Sequence, residues 1–122
     1  MRKFNKSHEW VEVVGNIATL GISEYAQDHL GDIVFIDLPE VGTEYEAQEC
    51  FAVVDSVKAT SDIYTPVAGR VVEINGALND KPELLNEDAY AHWIVKIEFE
   101  TFDESELFEE EAYATYCEQE DS

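Results

Sequence analysis

The chain has 122 residues, 45% of them hydrophobic and 11% aromatic, which fits one folded domain with a substantial core. Its formal net charge of −21 repels nucleic acid and anionic membranes and favours partners with a basic docking face. No apolar run reaches the length of a membrane span and no signal peptide is evident, so we expect a cytoplasmic protein, or a mitochondrial matrix protein if the chain is processed. We also expect a monomer. Cys50 and Cys117 lack the spacing of a disulfide framework or zinc site.

Short apolar runs separated by turn residues predict a mainly β domain. In chain order, the predicted strands cover residues 10–14, 17–22, 33–38, 51–57, 63–65, 71–74 and 93–99. Ser23 is suited to cap a short helix that ends at Leu30, with Gly31 as its stop. The predicted core spans about residues 7–100.

The acidic tail, residues 103–122, has a helical pattern of apolar side chains. Asp103 and Glu106 are spaced as a capping box, and residues after Cys117 are expected to fray.

Residues 31–37 and 69–75 form an internal repeat in which a glycine precedes an apolar strand and a turn. Two similar strand units in one domain predict a small sandwich with pseudo-twofold symmetry.

Lys58 is the only lysine or arginine between Lys6 and Arg70. Turn-forming side chains surround it, so the lysine is expected near the tip of a hairpin between two strands. Most such lysines only improve solubility. A primary amine on a rigid tip can also be acylated, which produces a long tether on a fixed base.

The residues around Lys58 resemble the lipoylation site of the glycine cleavage system H-protein, whose pattern is Glu-Ser-Val-Lys-Ala followed by Ser-Asp. Asp55 replaces the glutamate here, a difference of one methylene. Further blocks resemble the family in the same order along nearly the whole chain. They are residues 7–10, 21–22, 26–32, 37–39, 66–69, 82–84 with Asn86, and the acidic tail.

This resemblance implies a barrel-sandwich hybrid fold and a non-catalytic carrier with lipoic acid bound covalently to Lys58. The arm would take the aminomethyl group of glycine from the pyridoxal-phosphate-dependent glycine decarboxylase (P-protein) to the tetrahydrofolate-dependent aminomethyltransferase (T-protein). Dihydrolipoamide dehydrogenase (L-protein) would reoxidise it. A lipoate ligase, or an octanoyltransferase with lipoyl synthase, would attach the group.

The resemblance also implies which residues serve the arm. A cleft for the loaded arm would be formed by Ser7, Glu9, Ile22, His29, Leu30 and Asp62. The modifying enzyme would recognise Asp55, Ser56, Val57, Ala59 and Gly69. Each of these residues also has an ordinary alternative as a core, turn or solvated residue.

Other interpretations remain open at this level. A lipoyl domain of 2-oxoacid dehydrogenases or a biotinyl domain has a similar hairpin, but typically with Asp-Lys-Ala or Met-Lys-Met around the lysine. An H-like protein can instead donate lipoyl groups to other enzymes. An unmodified acidic interaction module is a third possibility, and an enzyme is the weakest. One departure from the family is Ala91-His92 before Trp93, where a glycine usually stands.

Overall fold

The protein is described by a computed structural model covering residues 2–102 and 107–121, and these residues form nine strands and four helices. The strands are β1 (Arg2–Phe4), β2 (Glu9–Val14), β3 (Ile17–Ile22), β4 (Ile33–Asp37), β5 (Glu44–Tyr45), β6 (Cys50–Ser56), β7 (Thr60–Tyr64), β8 (Gly69–Ile74) and β9 (Val95–Glu98). The helices are α1 (Glu24–Leu30), α2 (Ala77–Asp80), α3 (Leu84–Glu87) and α4 (Glu110–Asp121). The prediction of a mainly β protein is confirmed.

The strands form two antiparallel sheets that do not close into a barrel. One sheet has the order β1-β2-β3-β9-β8-β5, and the other has the order β4-β6-β7. The repeat predicted from the sequence contributes β4 to one sheet and β8 to the other, which is the arrangement that a pseudo-twofold sandwich requires.

The hydrophobic core draws side chains from both sheets. Leu20 and Ile97 of the larger sheet and Ile36 and Val54 of the smaller one are each at most 1% exposed. Burying side chains of this size stabilises the fold by about 1.5–3 kcal/mol each. This shared core fixes the two sheets relative to each other and therefore fixes the turns at their ends.

Helix α1 begins and ends at the residues predicted from the sequence. The Ser23 side chain accepts a hydrogen bond from the backbone N–H of Ala26. Gly31 ends the helix with a φ of 77°, and its N–H donates to the Gln27 carbonyl at 3.0 Å. These caps satisfy backbone groups that a short helix leaves unpaired.

Several elements differ from the sequence prediction. β7 begins at Thr60 rather than residue 63, because Thr60 and Asp62 pair with Asp55 and Val53 instead of remaining in the turn. Two short strands, β1 and β5, and two single-turn helices, α2 and α3, were not predicted. They are too short to show a clear period in the sequence.

The acidic tail is helical as expected, but its bounds differ. The predicted capping box at Asp103 and Glu106 lies outside the described residues. α4 continues past Cys117 to Asp121, so the backbone is helical beyond the residue after which fraying was expected. Near the end of this helix, Nε2 of His8 donates a hydrogen bond to the Glu120 carboxylate at 2.8 Å.

Candidate functional site

Lys58 lies in the turn of the β6–β7 hairpin, which is closed by bonds from a single serine. The Ser56 N–H donates to the Ala59 carbonyl at 2.8 Å. The Ser56 hydroxyl accepts from the N–H groups of Lys58 and Ala59 at 3.2 and 3.1 Å. On the adjoining strands, Thr60 donates to Asp55 Oδ1 at 2.6 Å. The predicted hairpin position of Lys58 is therefore confirmed. Hydrogen bonds within the turn and between the flanking strands hold its backbone in place.

The stem of Lys58 runs over Gly31, at the end of α1. A methyl group placed on Gly31 would lie 3.3 Å from Lys58 Cε and 3.7 Å from Cδ. The absence of a side chain there leaves a shallow track for the lysine. The Lys58 side chain is exposed, and no ion pair of its amine occurs within residues 2–102 and 107–121.

Asn86 on α3 holds the loop that supports this track. Its Nδ2 donates to Gln27 Oε1 at 2.9 Å and to the Gly31 carbonyl at 2.8 Å, and its Oδ1 accepts from the Ile33 N–H at 2.8 Å. The next carbonyl of the loop, that of Asp32, accepts from the Val57 N–H at 3.0 Å. Asn86 thus positions the loop on which the hairpin rests, a role that the sequence did not reveal.

Glu9 is the one carboxylic acid with a buried side chain among the residues that the structure describes. It is 1% exposed, and its Oε1 accepts from Asn5 Nδ2 at 2.7 Å and from the Ser7 hydroxyl at 2.8 Å. A backbone hydrogen bond from Tyr64 on β7 also reaches it. Burial raises the pKa of Glu9 from 4.5 to about 7, while these hydrogen bonds oppose the rise.

The structure brings some of the predicted cleft residues into direct contact. Ser7 binds the Glu9 carboxylate, and Ile22 is the cross-strand partner of Glu9 in the β2–β3 pair. Ile22 is buried, so it is also a core residue. These three residues and Tyr64 meet where the larger sheet approaches β7.

The other predicted cleft residues lie on α1 and β7. Leu30 is half-buried at the end of α1, beside Gly31. His29 is exposed, and its ring stacks on Tyr25 with 4.0 Å between ring centroids. Asp62 is exposed on β7, where its carboxylate raises the pKa of the Tyr64 phenol by its charge and by a hydrogen bond.

Gly69 lies in the other sheet and has a packing role. It starts β8 opposite Tyr45, and a methyl group there would collide with the Glu98 carbonyl and approach Ile97 Cγ2 to 2.6 Å. Glycine is therefore required for the close approach of β8 and β9.

Asn5 and Ser7, the side-chain partners of Glu9, line a cavity of about 350 Å³ together with Lys6, Ala47, Gln48, Pro66 and Leu107. In the described part of the chain, no group of histidine, cysteine, aspartate or glutamate side chains could hold a metal ion. None of the helices described is long and apolar enough to cross a membrane. The chemistry offered by these residues is thus an accessible amine in a hairpin turn and a buried carboxylate whose partners Asn5 and Ser7 line a cavity.

Comparison with known proteins identifies the family. Residues 2–120 match the family model described as Glycine cleavage H-protein. The chain belongs to the glycine cleavage H-protein family. It is 56% identical to the glycine cleavage system H protein of Alkaliphilus oremlandii over 95 residues, covering 78% of this chain and 75% of that protein. The H protein of Vibrio campbellii is 59% identical over 98 residues, covering 79% of this chain and 78% of the relative.

The fold agrees with a solved H-protein. The crystal structure of a glycine cleavage system H protein from Mycobacterium marinum matches with a TM-score of 0.85 at 31% identity, covering 99% of this chain and 97% of that chain. The resemblance noted in the sequence is therefore confirmed. As an H-protein, the chain is a carrier subunit of the glycine cleavage system rather than one of its catalysts.

Proposed function

We propose that Lys58 carries a lipoyl group in amide linkage and that the chain moves the aminomethyl group of glycine from the glycine decarboxylase to the aminomethyltransferase. Dihydrolipoamide dehydrogenase completes the cycle. Membership of the H-protein family supports the carrier role. The observation that carries the residue assignment is the accessible Lys58 amine on a hairpin closed by Ser56. The relatives are bacterial, which supports action in the cytoplasm.

The group of this chain that reacts in the attachment is the Lys58 amine. In its uncharged form, Nζ attacks the carboxyl carbon of lipoate activated as an adenylate, the new N–C bond replaces the C–O bond to AMP, and the nitrogen loses one proton. A lipoate ligase makes the adenylate from lipoate and ATP. The turn contributes by holding the backbone of Lys58 in one place, from which the lysine stem projects into solvent.

When bound, the lipoyl group supplies a disulfide that can accept a one-carbon amine and be restored by a flavin enzyme. The residues here fit such an arm. Gly31 leaves room beside the lysine stem, and the neighbouring Leu30 has an apolar, half-buried side chain. This track leads the stem along the end of α1, where His29 also lies.

Glu9 is suited to hold a protonated amine at the end of such an arm. Its carboxylate is desolvated, and an opposite charge in a desolvated site interacts more strongly than in water. Since burial raises the pKa of Glu9 to about 7, the carboxyl is ionised only in part at neutral pH. A bound ammonium group favours the ionised form and therefore lowers this pKa. Ser7 orients the carboxylate, and Asp62 adds negative charge nearby on β7.

Intact mass spectrometry tests the attachment site. We expect the wild-type protein to gain one lipoyl unit after incubation with lipoate, ATP and a bacterial lipoate ligase, and the Lys58→Arg variant to gain none. A second H-protein modified in parallel is the positive control for the ligase. Modification of another lysine in the variant, or no gain in wild type while the control is modified, would contradict the proposal.

A further inference from the structure

The exposed apolar side chains of the protein are concentrated beside Lys58. Among the described residues, five large hydrophobic side chains are exposed, and three of them are Val34 at 56%, Phe35 at 54% and Val57 at 66%. Val57 precedes Lys58, and its N–H is bonded to the carbonyl of Asp32, two residues before Val34. We call Val34, Phe35 and Val57 the hairpin patch.

A β-bulge explains why two successive residues of β4 face solvent. Ile33 pairs with Ser56 and Phe35 pairs with Asp55, so Val34 is an extra residue in the ladder. In a regular strand, adjacent side chains point to opposite faces, and one of Val34 and Phe35 would enter the core. Bulges often redirect side chains near functional sites. Here the bulge adds exposed apolar surface on the strand next to the modification hairpin.

Carboxylates surround this patch. Asp32 and Asp37 are exposed on either side of Val34 and Phe35, and the half-buried Asp55 lies opposite Phe35 in the register. None of the three makes an ion pair with another described residue. An apolar centre with a charged rim is the usual anatomy of a protein–protein interface. Charge complementarity therefore selects a partner with an apolar pocket bordered by lysine or arginine.

We propose that the hairpin patch is the docking surface for the enzyme that attaches lipoate to Lys58. This inference rests on the proposed function. The attaching enzyme meets the protein before any arm exists, so it must bind the surface immediately around the lysine. Enzymes that act on the finished arm can reach its distal end without covering this surface. Val34 and Phe35 thus extend the recognition site from the turn to the neighbouring strand.

The test measures the rate of lipoylation of Lys58 by a bacterial lipoate ligase, with lipoate and ATP, using intact mass. Phe35→Ser is expected to reduce kcat/KM about tenfold, mainly through KM, since an aromatic anchor in an apolar pocket is a typical hot spot. Phe35→Leu should recover most of the rate. Val14→Ser and Val41→Ser are matched controls because these valines are 80% and 59% exposed outside the patch. Both controls should react as the wild type does.

Binding is measured separately with proteins that cannot react. The Lys58→Arg protein should bind the ligase more tightly than the Lys58→Arg, Phe35→Ser double variant, and Asp37→Asn should reduce the salt dependence of binding. Thermal unfolding checks that the variants are folded.

The outcomes separate this proposal from the proposed function. If the wild type is not lipoylated while an H-protein control is, the proposed function fails. If the wild type is lipoylated and Phe35→Ser reacts at the same rate, only the docking surface fails. The docking proposal is also overturned if Phe35→Ser is lipoylated normally but no longer accepts carbon from glycine decarboxylase, or if it abolishes a dimer that wild type forms in sedimentation experiments.

Discussion

The Lys58 hairpin and the Glu9 pocket place two ionisable side chains in opposite environments. We call Glu9 and its partners Asn5, Ser7 and the Tyr64 backbone the Glu9 pocket. Lys58 is exposed, and its turn is closed by Ser56, which is adjacent in sequence. Glu9 is 1% exposed, and its carboxylate accepts hydrogen bonds from Asn5, Ser7 and the backbone of Tyr64. In the proposed function, the exposed amine is modified covalently, whereas the buried carboxylate holds the carried amine reversibly.

The difference shows that attachment of the arm and binding of the carried amine need opposite environments. The rigid tip needs chemical accessibility, so its side chains contribute little to folding. The pocket needs desolvation, and desolvation costs stability when the carboxyl ionises. Substitutions in the two regions should therefore have different effects. We expect loss of modification from a change at Lys58 and a pH-dependent change in stability from a change at Glu9.

The largest effect is expected from Lys58→Arg. It should abolish incorporation of carbon from glycine in a system reconstituted with the decarboxylase, aminomethyltransferase and dehydrogenase, because a guanidinium cannot form the lipoyl amide. The melting temperature should remain within about 1 °C of the wild type, as expected for a surface substitution. A large fall in melting temperature would show that Lys58 also has a structural role and would contradict this expectation.

Glu9→Gln should have a pH-dependent effect on the free energy of unfolding. Since the pKa of Glu9 is raised from 4.5 to about 7, the folded state retains its proton more tightly than the unfolded chain does. The cost of ionisation is therefore absent below about pH 4.5, grows as the pH rises to about 7 and is complete above it. The variant should be more stable than the wild type by on the order of 3 kcal/mol at pH 8 and similar to it at pH 4.5.

Urea unfolding at several pH values measures this effect. Glu44→Gln is the matched control for removing one charge from an acidic protein, since Glu44 is exposed on β5. A pH-independent difference, or the same pH profile in the control, would contradict the account of the pocket.

Gly31→Ala tests the track beside Lys58. Gly31 has φ 77° and ψ −153°, a conformation that alanine adopts at a cost of about 1–3 kcal/mol. The added methyl group would also lie 3.3 Å from Lys58 Cε. We expect lower stability together with slower lipoylation in a timed mass assay.

Gly42→Ala separates the effect of backbone strain from the effect of the contact with Lys58. Gly42 has a φ of 98° but no atom within 4 Å of the added methyl group. It should lose stability without slower lipoylation, and equal slowing in both variants would reject a specific role for the track.

The smallest effect is expected from Ser56→Ala. The hydroxyl accepts from two N–H groups of the turn, so its loss should cost about 1 kcal/mol or less at this exposed position. Amide hydrogen exchange should increase at Lys58 and Ala59 but not at Asn5 or Glu9. An increase in both regions would show that tip and pocket are not independent.

Local sequence signals predicted the parts of the fold whose partners are close in the chain. The Ser23 cap, the Gly31 stop and the Lys58 turn each depend on neighbours within a few residues. The burial of Glu9 and the Asn86 contacts were not visible in this way. Asn5 and Ser7 are close to Glu9 in the chain, but Tyr64 is distant from it, and Asn86 binds residues more than 50 positions away. Only the resemblance to H-proteins indicated Glu9, and the bulge that exposes Val34 and Phe35 depends on pairing between β4 and β6.

The most direct test of the claim that Lys58 carries the arm and Glu9 receives its amine is the pKa of the Glu9 carboxyl. It is measured by carbon NMR in lipoylated protein, with the Lys58→Arg variant as control. Before glycine is added, both proteins should show a pKa near 7. After incubation with glycine and glycine decarboxylase, we predict that the pKa falls by at least about one unit in the lipoylated protein and stays constant in the variant. An unchanged pKa in lipoylated protein shown by mass to carry the glycine carbon would contradict the claim that Glu9 receives the amine.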